Sequence, residues 1–178
     1  DVFNAYFKDA ALANNPTHWW GLRHFDRMDH RHDCDQPELL AFLAELRTLL
    51  DAYPERYLVG ETFLDTTAKA ACYVGEDKLH AAFSFDLLGR PWQARAFAHA
   101  ILDWEAALPA DAWPTWVLNN HDNARAATRY SRGVRAENDT RLQVAAALLL
   151  TLRGTPYLYY GEEIGMRDIH LSRGEIQD

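Results

Sequence analysis

Two kinds of apolar block alternate along this chain. Leu39, Phe42, Leu43, Leu46, Leu49 and Leu50 recur at helical spacing and predict an amphipathic helix from about residue 36. Asp35 with Glu38 three residues on predicts a capping pair for its start, Pro37 sits in the first turn, and Tyr53-Pro54 stops it. Short continuous apolar runs at 57–61 and 81–86 have the pattern of strands buried on both faces, as in a parallel sheet. Further strands are predicted at 115–119 and 156–160. Between the runs lie a small helical stretch at 67–73, a helix over 92–108 carrying Phe97, Ile101, Trp104 and Leu108, and a helix from near Asp139. The last carries Leu142, Ala145, Leu149 and Leu152 before Gly154 ends it. Strand and helix alternate four times without a convincing hairpin turn, which predicts crossover connections and a parallel α/β fold. Residues 9–35 show no period and read as a long loop, a kind of segment that is often functional.

The strand-like runs end on polar residues: Glu61 after the first, and Asn120, His121 and Asp122 after the third. Polar groups gathered at strand C-termini are how (β/α)₈ barrels and doubly wound sheets present a site, and spacing alone does not separate these two folds. No Gly-rich phosphate loop follows any run, which argues against a nucleotide site. A net charge of −8 gives no basic surface for nucleic acid or an anionic membrane, so a neutral or cationic ligand suits the chain better. Two cysteines, Cys34 and Cys72, are too few for a disulfide scaffold, and the apolar stretches are far short of a bilayer span. These features predict a soluble, cytoplasmic protein. At 178 residues the chain has enough apolar material for one buried core of ordinary domain size. It opens on Asp1-Val2-Phe3-Asn4 without an initiator Met and stops abruptly at 174–178, so it reads as truncated at both ends.

Three carboxylates stand out by position: Asp1, Glu61 and Asp122. An acid that ends a buried strand must be exposed or paired, because an isolated ionised carboxylate in an apolar setting is very costly. A shared cleft would meet that need for all three, and crowding there would push their pKa values apart into an ionised nucleophile and a protonated acid. The alternative is that Glu61 caps a following helix and Asp122 pairs with Arg125. On spacing alone both readings stand.

Five segments carry a resemblance. Residues 58–61, Leu-Val-Gly-Glu, resemble the acid/base segment of the α-amylase superfamily, glycoside hydrolase family 13, and residues 117–122, Val-Leu-Asn-Asn-His-Asp, resemble that family's NHD segment. Residues 35–38, 154–166 and 175–178 are similar to bacterial oligosaccharide α-glucosidases and oligo-1,6-glucosidases. The resemblance implies the C-terminal half of a (β/α)₈ TIM barrel, from the end of strand four to just past strand eight, with 1–178 one partial catalytic domain. The other barrel half, an inserted domain and a C-terminal β domain would lie outside it. It implies that Asp1 matches the nucleophile of the family's GFRxD segment, whose Gly, Phe and Arg would come just before. Glu61 matches the acid/base and Asp122 the transition-state stabiliser. His121 matches a histidine that holds sugar hydroxyls, and Arg125 resembles the arginine of a DxxR near the leaving sugar, a surface salt bridge being the other reading. Val2, beside the nucleophile, accompanies α-1,6 rather than α-1,4 cleavage in related glucosidases. The implied reaction is retaining hydrolysis of short α-glucosides. Neither cofactor nor metal is implied within these residues, although calcium is possible outside them. The implied partner is a small oligosaccharide or disaccharide, without nucleic acid or membrane; the oligomeric state is open. A transglycosylating or isomerising relative would use the same acids, and a non-catalytic scaffold would have lost them.

Three clusters compete for attention. His30, His32 and Cys34, with His24 nearby, could suggest zinc, but alternate spacing in a loop is not a usual zinc pattern, and a solvated loop is expected. Trp19, Trp20 and Phe25 could form a sugar platform or anchor the loop, and anchoring is favoured. Tyr157, Tyr159 and Tyr160 are expected in the barrel core, while Glu162 and Glu163 sit on the loop after the last strand. The piece alone, with open strand edges, is expected to be marginally folded and inactive.

Overall fold

The computed structural model describes residues 2–21, 27–61, 67–131, 135–169, 172 and 174, with backbone alone for 135–139. Asp1, His24, Phe25, residues 175–178 and the stretch after Glu61 that could have been a capped helix lie outside the described residues. The elements run α1 (Glu38–Asp51), β1 (Val59–Gly60), α2 (Thr67–Ala71), β2 (Ala81–Ala82), α3 (Ala94–Ala107), β3 (Thr115–Val117), α4 (Ala126–Arg129), α5 (Arg135–Thr151) and β4 (Thr155–Tyr157). The chain divides into two compact units, one of Asp1–Phe83 with Ala107–Ala112, the other of Ser84–Ala106 with Trp113–Asp178. Each unit holds one parallel strand pair joined through helix.

In the first unit, β1 and β2 pair in parallel with Val59 opposite Ala81 and Gly60 opposite Ala82. The expected run at 57–61 shortens because the Leu58 N–H is taken by the Nδ1 of His80 at 3.0 Å rather than by a ladder carbonyl. Leu39 and Leu43 bury α1, but Leu49 is 58% exposed. At 100° per residue Leu49 lies about 80° from the centre of the stripe, on its edge. The predicted capping pair does not form: Pro37 precedes the helix without a side-chain cap, and the Asp35 carboxylate accepts from the Tyr73 hydroxyl at 2.6 Å. Phe3 completes this core, packing edge-on against Tyr73 with ring centres 5.0 Å apart.

In the second unit, β3 and β4 pair in parallel with Thr115 opposite Thr155, Trp116 opposite Pro156 and Val117 opposite Tyr157. All three β3 residues are buried, as expected of a two-sided strand. Phe97 and Trp104 bury α3, whose first residue follows Gln93; the Gln93 carbonyl receives the N–H groups of Ala96 and Phe97. Trp92, Phe97 and Tyr130 form an aromatic triangle with ring centres 5.0–6.0 Å apart. Helix α5 starts one turn earlier than predicted, buries Ala145 and Leu149, and ends before Gly154 at φ 137°. Gly154 is required twice over there, because a Cβ would also stand 2.7 Å from the Pro114 carbonyl oxygen and from the Trp116 indole nitrogen. That indole donates to the Arg153 carbonyl at 2.7 Å, fastening the helix end to β3.

Candidate active site

Glu61 closes β1 in the first unit, half-buried. Its backbone position is fixed from one side by Phe3, whose N–H donates to the Glu61 carbonyl at 3.4 Å. The preceding Gly60 has no room for a side chain: a Cβ would lie 2.5 Å from both Leu79 Cδ1 and Phe3 Cε1. Apolar packing thus presses the segment after Asp1 against the strand that ends on Glu61. Val2 precedes the 3-10 turn Phe3–Ala5 and stands at φ 41°, ψ 41°, with its carbonyl receiving the Ala5 N–H at 3.1 Å. A β-branched residue in the left-handed region is strained, and such strain persists where the surroundings impose it, often at functional sites.

The second unit brings His121, Asp122 and Arg125 together on the loop from β3 to α4. Asn119, 4% exposed, receives the Ala126 N–H on its side-chain oxygen and so anchors the loop to the start of α4. Asn120 Oδ1 accepts from Asn123 N–H at 3.0 Å and Nδ2 at 2.9 Å, closing the turn that presents His121 and Asp122. Arg129 reaches back to the carbonyls of Leu118 at 2.8 Å and Ala124 at 2.7 Å. His121 and Asp122 are exposed, with His121 Nε2 3.6 Å from Asp122 Oδ1. An open cleft of about 550 Å³ borders this loop, lined by Asn123, Arg90, Trp92, Arg129 and Arg141 among others.

Arg125 does not pair with Asp122: among the described residues no ion pair joins them. Only 8% exposed, its guanidinium lies over the rings of Tyr159 and Tyr160, 4.6 and 4.9 Å from their centres, and donates to the Tyr160 carbonyl at 2.7 Å. Its backbone N–H donates to Asp168 at 3.0 Å. The core placement expected for the tyrosines is therefore corrected for this pair. Tyr160 is 68% exposed, and the two rings clasp a cation instead of filling a barrel. Desolvation first, then its bond with Tyr160, raises the Tyr159 hydroxyl above its ordinary pKa; the nearby Asp122 charge adds to this and Arg125 opposes it. Glu162 holds the same loop by accepting the Tyr159 N–H at 3.1 Å, while Glu163 stays exposed.

The loop tryptophans do not anchor: Trp19 is 92% exposed, and Trp20 stacks on His18 with ring centres 4.8 Å apart. Polar contacts hold that loop instead, through Asp9 to His32 Nδ1 at 2.8 Å and the Asn15 side chain to the His32 N–H at 3.0 Å. Cys34 sits half-buried near Asp33 and Asp35; burial and those two charges push its thiol up to about 11.

Sequence reasoning missed Asn119 as an anchor, although it stands in the polar run that ends β3. It missed Asp168 altogether, for which no local signal exists 43 residues from its partner.

The profile of the family described as "Alpha amylase, catalytic domain" matches residues 1–178. A probable alpha-glucosidase of Rhizobium meliloti (strain 1021) is 30% identical over 193 residues, covering 100% of this chain and 34% of the relative. An oligo-1,6-glucosidase of Bacillus cereus is 28% identical, covering 95% of this chain and 32% of the relative. The crystal structure of an alpha-glucosyl transfer enzyme, XgtA, superposes with TM-score 0.86 at 33% identity, covering 99% of this chain and 34% of that one. The chain thus spans about a third of the length of these relatives. Its fold, parallel strands alternating with helices, is part of a (β/α)₈ barrel.

Proposed function

Because this chain belongs to the α-amylase catalytic-domain family, glycoside hydrolase family 13, we propose that the protein carrying it is a retaining α-glucosidase acting on short α-1,6- or α-1,4-linked oligosaccharides. The observation that carries the reading is the bond from the Phe3 N–H to the Glu61 carbonyl. It ties the acid that ends β1 to a residue two positions from Asp1, and a retaining pair needs its carboxyls about 5–5.5 Å apart.

In this reaction Asp1 attacks the anomeric carbon while Glu61 protonates the departing glycosidic oxygen, and a covalent glucosyl ester forms. Glu61, now ionised, takes a proton from water, which attacks the same carbon and releases glucose with retained configuration. Asp122, whose carboxylate lies 3.6 Å from His121 Nε2, grips the ring hydroxyls; those bonds strengthen as the oxocarbenium-like charge develops, so they raise the rate. His121 binds sugar hydroxyls beside it. Arg125 acts through the tyrosine pair as a positioning residue at the leaving-sugar side. Val2 shapes the wall there and leans the preference toward α-1,6 bonds, a contact worth about 1–3 kcal/mol of discrimination.

A second reading is glucosyl transfer, in which a sugar hydroxyl replaces water in the second step. The likeness to XgtA favours it as the alternative. Incubating the intact protein with isomaltose and maltose, with and without an acceptor alcohol, separates free glucose from transfer product. Glu61→Gln is expected to lower either activity by about 10²–10⁴-fold. An unchanged rate in that variant would remove Glu61 from the chemistry, and no activity in the parent protein would leave a scaffold role instead.

A further inference from the structure

We propose that His30, Asp33 and Cys34 form a binding site for a divalent transition-metal ion, with zinc as the favoured occupant, which staples the loop leading into α1. One donor atom from each of the three residues lies within 4.8 Å of the others. The trio differs from the alternate His30, His32 and Cys34 pattern in the sequence: His32 turns away to Asp9, and Asp33 takes its place through a 3.0 Å contact with His30 Nδ1.

The backbone explains the convergence. The Cys34 N–H donates to the His30 carbonyl at 3.1 Å, closing a single helical turn. Residues three and four apart then share one face, the same spacing by which helical turns present paired metal ligands. The turn is held by groups outside the trio: Asp9 N–H to the His32 carbonyl at 2.9 Å, Asp35 N–H to the Asn4 carbonyl at 2.7 Å, and Gln36 Nε2 to the carbonyls of Arg31 and Cys34 at 2.8 and 2.9 Å. Little backbone ordering is therefore left for the metal to impose. Imidazole, carboxylate and thiolate together suit zinc, and tetrahedral donors around it stand about 3.5 Å apart, a contraction that side-chain rotation can supply. Thiolate and carboxylate would each carry a negative charge against the dication. Lys8, which donates to the Asp33 carbonyl at 3.1 Å, is the opposing charge nearby, and a fourth ligand would come from solvent.

Cobalt chloride titrated into the chelator-treated intact protein tests this. A thiolate-to-cobalt charge-transfer band should appear at one equivalent and be displaced by zinc. Cys34→Ser should abolish the band, His30→Ala should weaken zinc binding by about tenfold or more, and Cys72→Ser should change neither. At alkaline pH, where both thiols ionise enough to react, zinc should also slow alkylation of Cys34 and not of Cys72, a readout that needs no variant to fold. No band, a band that survives Cys34→Ser, or equal protection of both thiols would overturn the site.

Discussion

The two acid-bearing strand ends are held by opposite means. At β1 the side-chain support for Glu61 is apolar and steric, with Gly60 wedged between Leu79 and Phe3, and the polar ties are backbone bonds, from the Phe83 N–H to the Gly60 carbonyl at 3.0 Å and from the Phe3 N–H to the Glu61 carbonyl at 3.4 Å. At β3 the support for Asp122 is a polar lattice, with Asn119, Asn120, Arg125 and Arg129 each bonded to backbone of the loop or of a neighbouring segment. A packed wedge tolerates no added volume but does not depend on hydrogen-bond partners. A polar lattice tolerates volume at its exposed rim and fails when one buried donor loses its acceptor.

The difference can be broken deliberately. Gly60→Ala is the most damaging change expected, because its Cβ must displace Phe3 or Leu79. A loss of about 1–3 kcal/mol in denaturant unfolding of the intact protein is predicted, with activity falling beyond the stability loss since Phe3 also ties Glu61. Asn119→Ala leaves the buried Ala126 N–H without its acceptor and should cost a similar 1–3 kcal/mol or somewhat less. Asn119→Asp, which keeps an acceptor oxygen, should recover part of it, whereas no conservative replacement rescues Gly60. Arg125→Lys retains charge but loses the planar stack on Tyr159 and Tyr160; kcat should drop several-fold with KM altered at the leaving-sugar side, and stability should fall by about 1 kcal/mol.

The smallest effect is a pH dependence confined to the first unit. Burial, with Arg47 adding to it and Asp51 opposing, lowers the His80 pKa below its ordinary 6.5. Asp51 lies 3.9 Å from the ring, yet its attraction is outweighed. The neutral ring also fits the structure, since Nδ1 must be unprotonated to accept the Leu58 N–H. With a depressed folded-state pKa the unfolded chain takes up the proton first, so the contribution is full above pH 6.5 and is lost as pH falls through the lower folded value. Melting temperatures measured from pH 8 down to 5 should show a decline below 6.5 that is flatter in His80→Gln.

The contrast also explains what the sequence reveals. Helices α1 and α3 are legible because Leu39, Leu43, Phe97 and Trp104 repeat at the period of the helix they bury. The ends of β1 and β3 are legible because an apolar run gives way to an acid. Contacts across long stretches of chain leave no local trace. Asp35 looks like a cap until Tyr73, 38 residues away, takes its carboxylate. Tyr159 and Tyr160 look like core until the Arg125 guanidinium lies over their rings.

The central claim is that Asp1 and Glu61 act on one glycosidic bond. Mass spectrometry of the intact Glu61→Gln protein after incubation with α-glucosyl fluoride tests it most directly, because this substrate can glucosylate the nucleophile without acid help while deacylation is slowed. The account predicts one added glucosyl residue, located by peptide mapping on Asp1. A label on another side chain, or rapid turnover with no trapped ester, would contradict it.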